Sequence, residues 1–297
     1  MTVLRTAAET ANLKGSVLMV AAMAAFAVED MFIKSAARQM PLGQVLVMFG
    51  LLGAVAFAIM VRLRGEGLWH AAALSRPMLM RSGFEVGGRL FYSLAIALTP
   101  LSVASAILQA TPLVVVAGAA LLFGETVGWR RWTAITVGFV GVLVILRPGL
   151  EGFDVLSVLT VLGMIGFAGR DLATRAAPPA LSNAQLGLYG FAMLTVAGAC
   201  ILSVTGGALV PDLKGAGTVL AATVFGVYAY HSLTRAMRTG EVSVVTPFRY
   251  TRLLFALVLG MLVFGERPDA LTLIGSALVV GSGLYTLARA RRRAAAV

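Results

Sequence analysis

Apolar residues run along this chain in blocks of about twenty, separated by short stretches where Pro, Gly and charged residues gather. A bilayer core takes roughly 20 apolar residues to cross as a helix, so each block reads as a membrane-spanning helix. Breaking the chain at its Pro, Gly and charge clusters predicts ten of them. They fall at 14–37, 42–62, 77–98, 101–124, 129–147, 155–176, 183–206, 216–238, 242–264 and 269–288. Thr99-Pro100 turns the third helix into the fourth. Arg267-Pro268 puts a proline where the tenth can begin without losing a needed N–H. The expected fold is an all-α polytopic membrane protein.

The blocks repeat. Phe123-Gly124-Glu125, which closes the run Leu101–Glu125, returns as Phe264-Gly265-Glu266. The run's opening Leu101-Ser102-Val103 is echoed by Val242-Ser243-Val244, and Phe26-Ala27-Val28-Glu29-Asp30 by Phe167-Ala168-Gly169-Arg170-Asp171. All three pairs share one offset, 141 residues. A single offset kept along the chain marks an internal duplication, with a first five-helix unit at 1–149 and a second at 150–297. Five is odd, so the second unit must enter the membrane upside down. Lys and Arg accumulate in cytoplasmic loops, and with the N-terminus inside the inner segments carry fourteen of them against five outside. Both termini are therefore expected in the cytoplasm, with the ten transmembrane helices forming a 5+5 inverted repeat. Such repeats belong to secondary transporters, with the substrate near the midplane between the halves.

Composition agrees and excludes other classes. Hydrophobic residues make up 59% and charged residues 12% of the 297, with mean hydropathy +0.91; soluble domains carry about a quarter charged. The net charge of +11 is scattered between apolar runs, so it describes topology and not nucleic-acid binding. Cys200 is alone, which excludes an internal disulfide or a Cys-based metal cluster. His70 and His231 show no metal-ligand spacing, no phosphate-binding GxxxxGK is present, and no cofactor or metal is expected. The N-terminal residues lack a short apolar core with a cleavage site and read as a retained cytoplasmic leader.

Four acids and five arginines fall inside the spans: Glu29, Asp30, Glu85, Asp171, Arg81, Arg89, Arg170, Arg249 and Arg252. Each costs a few kcal/mol at the bilayer centre, so they must pair or line a wet cavity. Arg81, Glu85 and Arg89 follow at i, i+4 and i+8 and predict a ladder on one helix face, Arg81 being near enough to the inner end to snorkel. Alternatively, Glu85 or Arg89 meets the substrate. Glu29 and Asp30 point about 100° apart on the first helix. One of them could take a substrate amine or a proton, or each could pair with Arg170, Arg249 or Arg252. Arg249 and Arg252 share a face of the ninth helix, where an arginine could hold a carboxylate through two bonds or pair with Glu85 or Glu29.

Uncharged candidates complete the set. Pro247, close to Tyr250, removes a backbone hydrogen bond and is expected to kink its helix, as is Pro112 after Gln109. Tyr228, Tyr230 and His231 on the eighth helix suit stacking or hydrogen bonding, although aromatic residues at mid-helix more often only pack. Gly83/Gly87 and Gly163/Gly166/Gly169 read as helix–helix contacts. Glu125 and Glu266 each precede a helix and are expected to cap it.

The ten-helix duplication, Thr111-Pro112, Phe123-Gly124-Glu125 and Phe264-Gly265-Glu266 together resemble the drug/metabolite transporter superfamily, EamA type, over nearly the whole chain. Within it the likeness is to YddG-type exporters of aromatic amino acids. The family usually places a proline mid-helix in both halves, but Leu253 stands at the position equivalent to Pro112 and Pro247 lies six residues earlier. The two helices are therefore expected to bend differently. The resemblance implies a secondary transporter, not an enzyme, working by alternating access in the bacterial inner membrane; nothing in the sequence calls for more than a monomer. Its partners would be the bilayer and a small metabolite, an amino acid or similar compound to be exported. Import of riboflavin or S-adenosylmethionine is the alternative within the superfamily; a scaffold or channel subunit is the alternative outside it.

Overall fold

The computed structural model describes residues 2–123, 129–147, 154–175, 178, 180–239 and 246–294. Glu125 and the 242–244 echo of Leu101-Ser102-Val103 lie outside the described residues. Within them the chain is helical and contains no strand. The first half holds α1 (Thr2–Ala36), α2 (Leu42–Leu63), α3 (Arg76–Leu98), α4 (Leu101–Leu108), α5 (Thr111–Phe123) and α6 (Trp129–Leu146). The second half holds α7 (Ser157–Arg175), α8 (Asn183–Thr205), α9 (Leu213–Thr239), α10 (Thr251–Phe264) and α11 (Ala270–Ala294). Since α4 and α5 are two parts of one crossing, the ten spans read from hydropathy are all present. Thr10–Ala36, Leu42–Leu63 and Asn183–Thr205 are each long and apolar enough to cross a membrane alone. The other spans are shorter or carry the arginines and acids described below.

The halves do not form separate bundles. The longest packing seams run between them: α1 along α9, α3 along α7, α2 along α8 and α6 along α11. Exchanging the halves turns the α1–α9 seam into the α7–α3 seam and maps the other two onto themselves. With five crossings per half, that exchange is a two-fold rotation about an axis in the membrane plane, the signature of an inverted repeat.

Glycine sets the closest approach on the α3–α7 seam. A Cβ on Gly166 would lie 2.5 Å from the Gly88 Cα, and Gly163 and Gly169 press against Tyr92 and Phe84. Those three contacts are as expected from sequence. The Gly83/Gly87 pair is not a contact: both face open space, and Gly88, one residue on, meets α7 instead. The face of α3 that carries Glu85, Gly88 and Tyr92 turns inward and leaves Gly83 and Gly87 off it.

The outer faces are apolar, as lipid contact demands. Leu51, Val55 and Ile59 on α2, Val140 and Leu143 on α6, and Leu254, Val258 and Leu262 on α10 are all exposed. The polarity is inverted inside, where Glu29, Asp30, Arg81 and Glu85 are buried. Charges in hydrocarbon survive only in such positions, against partners.

Of the two crossings expected to bend, the fourth is interrupted, and the described part of the ninth opens with a 3-10 turn. The fourth crossing breaks at Gln109 and Ala110, with Thr111 Oγ1 donating to the Leu108 carbonyl at 2.5 Å. In the ninth crossing a 3-10 turn over Thr246–Tyr250 leads into α10 at Thr251, the repeat counterpart of Ala110. The prolines differ in place, Pro112 just after its break and Pro247 inside the 3-10 turn, and regular helix begins one residue apart in repeat terms, at Thr111 and at Thr251.

Candidate functional site

The nine charges inside the spans pair into two chains. On α3, Glu85 lies 3.8 Å from Arg81 and 3.7 Å from Arg89, the expected ladder. Arg89 reaches on to Glu29 of α1 at 3.1 Å. Arg170 of α7 bridges Glu85 at 3.4 Å and Asp171 at 2.8 Å, and Asp171 lies 3.8 Å from Arg249. Separately, Arg252 donates to Asp30 at 2.5 Å, and the Tyr92 hydroxyl donates to the same carboxylate at 3.0 Å. Glu29 and Asp30 therefore look different ways, as their 100° separation requires. Arg81 does not snorkel: it is 2% exposed and donates to Thr174 at 3.0 Å and Tyr230 at 3.4 Å. Polar partners within reach hold its guanidinium in the bundle.

A cavity of about 90 Å³ of water-accessible space lies where these chains meet. Arg89, Arg170, Arg249, Arg252 and Asp171 line it with Gln109, Thr111, Pro112 and Tyr230. Glu29, Asp30 and Glu85 stand behind the wall as counter-ions to lining arginines. His231 is at a second, inner pocket described below, and Tyr250 is buried and not among the residues lining the cavity. Tyr228 is half exposed on the outside of α9.

The wall also holds residues not singled out from sequence: Tyr92, Met23, and the repeat mates Phe26 and Phe167. The guanidinium of Arg252 sits 5.0 Å from the Phe26 ring centre and that of Arg170 5.0 Å from Phe167, within cation–π range. The 141-residue spacing of the two phenylalanines was the signal that could have found them, since repeat mates take equivalent places about the axis.

Arg249 differs from the other three lining arginines. Arg89, Arg170 and Arg252 each have a carboxylate at hydrogen-bond distance. Among the described residues the acid that Arg249 meets is Asp171, at 3.8 Å, beyond hydrogen-bond reach. Among the described residues Arg249 is the lining arginine without a carboxylate at hydrogen-bond distance.

The outer ends of the bundle are tied together by Glu266. Its carboxylate accepts from the Leu101 amide at 2.6 Å, the Ser102 amide at 2.9 Å, the Ser102 hydroxyl at 2.8 Å and Lys34 Nζ at 3.0 Å. Lys34 also donates to the Thr99 carbonyl at 2.6 Å. The expected cap is real but sits on a different helix: Glu266 caps α4, in the other half, and not α11, which follows it. Asp269, next to α11, accepts from the Thr272 amide at 3.0 Å instead. Burial pushes the Glu266 carboxyl up, but the two amides, the hydroxyl and Lys34 outweigh it and hold it below the usual value.

On the inner side a larger pocket, about 410 Å³, opens between α2, α8 and α9 and is lined by Arg64, Asn183, His231 and Arg235. Tyr230 lines this pocket and the central cavity alike. Its ring stacks edge-on with Phe57 at 5.4 Å, so it forms part of the partition between the two spaces.

The model of the EamA-like transporter family matches residues 13–147 and 155–288. A pseudopaline exporter of Pseudomonas aeruginosa is 29% identical over 90% of this chain and 93% of its own. A riboflavin transporter of Rhizobium johnstonii is 27% identical over 74% and 71%, respectively. An S-adenosylmethionine uptake transporter of Rickettsia bellii is 23% identical over 72% and 73%. A solved crystal structure shares the fold at TM-score 0.62 and 19% identity, over 96% of this chain and 98% of that one. Exporters and importers both occur among these relatives, and what they share is carriage of a small metabolite. With ten crossings in two inverted halves and a polar cavity between them, the chain belongs to the EamA-like transporter family and is a transporter of small metabolites.

Proposed function

We propose that the protein exports amino acids or related metabolites bearing a carboxylate and an amine, by alternating access of the central cavity. The observation that carries this reading is Arg249. It is an arginine in the cavity wall with no carboxylate at hydrogen-bond distance among the described residues, and a substrate carboxylate would satisfy it. Arg252, on the same face of the ninth crossing, would share the load, and Asp171 would face the amine. Gln109 and Tyr230 would set orientation, and Phe26 and Phe167 would flank the carbon chain of the substrate.

Export is favoured over import by the pseudopaline exporter, which aligns over more of both chains than the riboflavin and S-adenosylmethionine transporters do. In the cycle, the interruption at Gln109–Ala110 and the 3-10 turn over Thr246–Tyr250 would act as paired hinges. The Glu266 tie would hold the outer side shut while the substrate loads from the cytoplasm, then release. A monomer contains every residue this scheme needs.

The test is counterflow in proteoliposomes loaded with single compounds: neutral, acidic and basic amino acids, riboflavin and S-adenosylmethionine. The proposal expects an amino acid to exchange. Exchange of riboflavin or S-adenosylmethionine with no amino acid moving would overturn it.

A further inference from the structure

The inner pocket and the central cavity carry charge of one sign. The pocket presents Arg64, Arg235 and His231, and no acid is among its lining residues. Glu66, two residues beyond Arg64, accepts the Ser182 hydroxyl instead of lining the pocket. His231 and Arg235 stand one turn apart on α9 and share a face, opposite Arg64 at the end of α2. Asn183 adds the N-terminal end of the 23-residue helix α8, whose dipole is also positive there. Past Tyr230, the central wall shows four arginines and one acid. Inside the spans five arginines stand against four acids, an excess of one positive charge.

We infer that the pocket between Arg64, His231, Arg235 and Asn183 is a loading site for a metabolite of net negative charge, such as a dicarboxylic amino acid, which then passes Tyr230 to the central arginines. The inference rests on the proposed carriage of amino-acid-type metabolites and narrows it. A neutral zwitterion gains little from a path positive along its length, because its two charges respond oppositely. A net anion is drawn in at the mouth, where low-dielectric walls focus the field, and meets a wall of four arginines and one acid at the centre. Topology alone explains exposed arginines at cytoplasmic helix ends. It does not explain why two of them and a histidine converge on one concave pocket that shares a wall residue with the central cavity.

The test uses the full chain in proteoliposomes and compares L-glutamate with L-phenylalanine by counterflow. Glutamate should half-saturate at the lower concentration. The double variant Arg64→Gln/Arg235→Gln should raise the glutamate value roughly 5- to 10-fold at low ionic strength, with the difference shrinking as salt screens the pocket. Arg64→Lys/Arg235→Lys should recover most of the loss. Arg76→Gln, the same charge change at the start of α3 outside the pocket, should leave it as in the wild type. Both changed arginines are exposed, so the variants should fold, which a melting curve checks. Phenylalanine carried as well as glutamate would overturn the inference while leaving the proposed export of amino acids standing. So would an unchanged glutamate value in the double variant. Failure of every amino acid to exchange would remove both.

Discussion

Replacing Asp30 by Asn separates structural charge from substrate-binding charge. Asp30 is 1% exposed and holds Arg252 at 2.5 Å, while Tyr92 donates to the same oxygen at 3.0 Å. The Arg252 Nε has no hydrogen bond among the described residues, so Asp30 is the anchor of that guanidinium. An Asn side chain still accepts from Tyr92 but leaves the arginine without its hydrogen-bonded counter-charge. Removing one partner of a buried pair costs about 3–5 kcal/mol, most of it from the charge left behind. In the Asp30→Asn/Arg252→Gln double variant no charge is stranded, and most of the loss should return. At roughly 2–4 °C per kcal/mol for a chain of this order of size, Asp30→Asn should melt roughly 6–20 °C below the wild type in detergent. The double variant should melt above the sum of the two single losses by a coupling of ~2 kcal/mol or more. Simple additivity of the two single losses would refute the pairing.

Three further outcomes follow from the same geometry. Glu266→Gln should destabilise by about 1.5–3 kcal/mol at neutral pH, the worth of charge-assisted bonds. Because that carboxyl is held below its ordinary value of 4.5, its contribution is complete above that pH and lost as pH falls through the lowered value, so the wild-type advantage should fade in acid; an advantage that persisted there would contradict the tie. Gly166→Ala should cost about 1–3 kcal/mol by forcing a Cβ into the Gly88 backbone, whereas Gly87→Ala, in open space, should be neutral or slightly stabilising in the same melts. Asp269 is held at about 2 first by its bond from Arg147 and then by the Thr272 amide, but its side chain is 48% exposed; Asp269→Asn should cost under about 1 kcal/mol, and a larger loss would mean the pair is shielded from solvent.

Much of this architecture was legible in the sequence because a bilayer constrains it severely. Hydropathy blocks gave the spans, the 141-residue offset gave the duplication, and the parity of five with the Lys/Arg asymmetry gave its inversion. The α3 ladder was readable because i, i+4 neighbours are fixed by the helix itself. Contacts between helices were not. Which acid would meet Arg252 depends on how α1 and the ninth crossing rotate against each other, and periodicity does not encode that. Glu266 reads from sequence as the cap of the helix beside it, yet the free amides it finds belong to α4 in the other half. Arg81 lies close enough to a membrane surface to snorkel, but Thr174 and Tyr230 are brought to it by the α3–α7 and α3–α9 sides of the fold. The 3-10 turn over Thr246–Tyr250 was obscured by the displaced proline, although the repeat offset points to its end once Gln109 and Ala110 are known to break their own helix.

The central claim is that the arginine-walled cavity between the inverted halves receives a substrate carboxylate, with Arg249 as its least committed donor. The most direct measurement is the half-saturation concentration of the best exchanging amino acid in proteoliposomes of wild-type and Arg249→Gln protein, with melting curves to confirm equal folding. Loss of a charge-assisted bond worth about 1.5–3 kcal/mol predicts an increase of roughly 10- to 100-fold. An Arg249→Gln protein that folds and exchanges with the wild-type value would contradict the account.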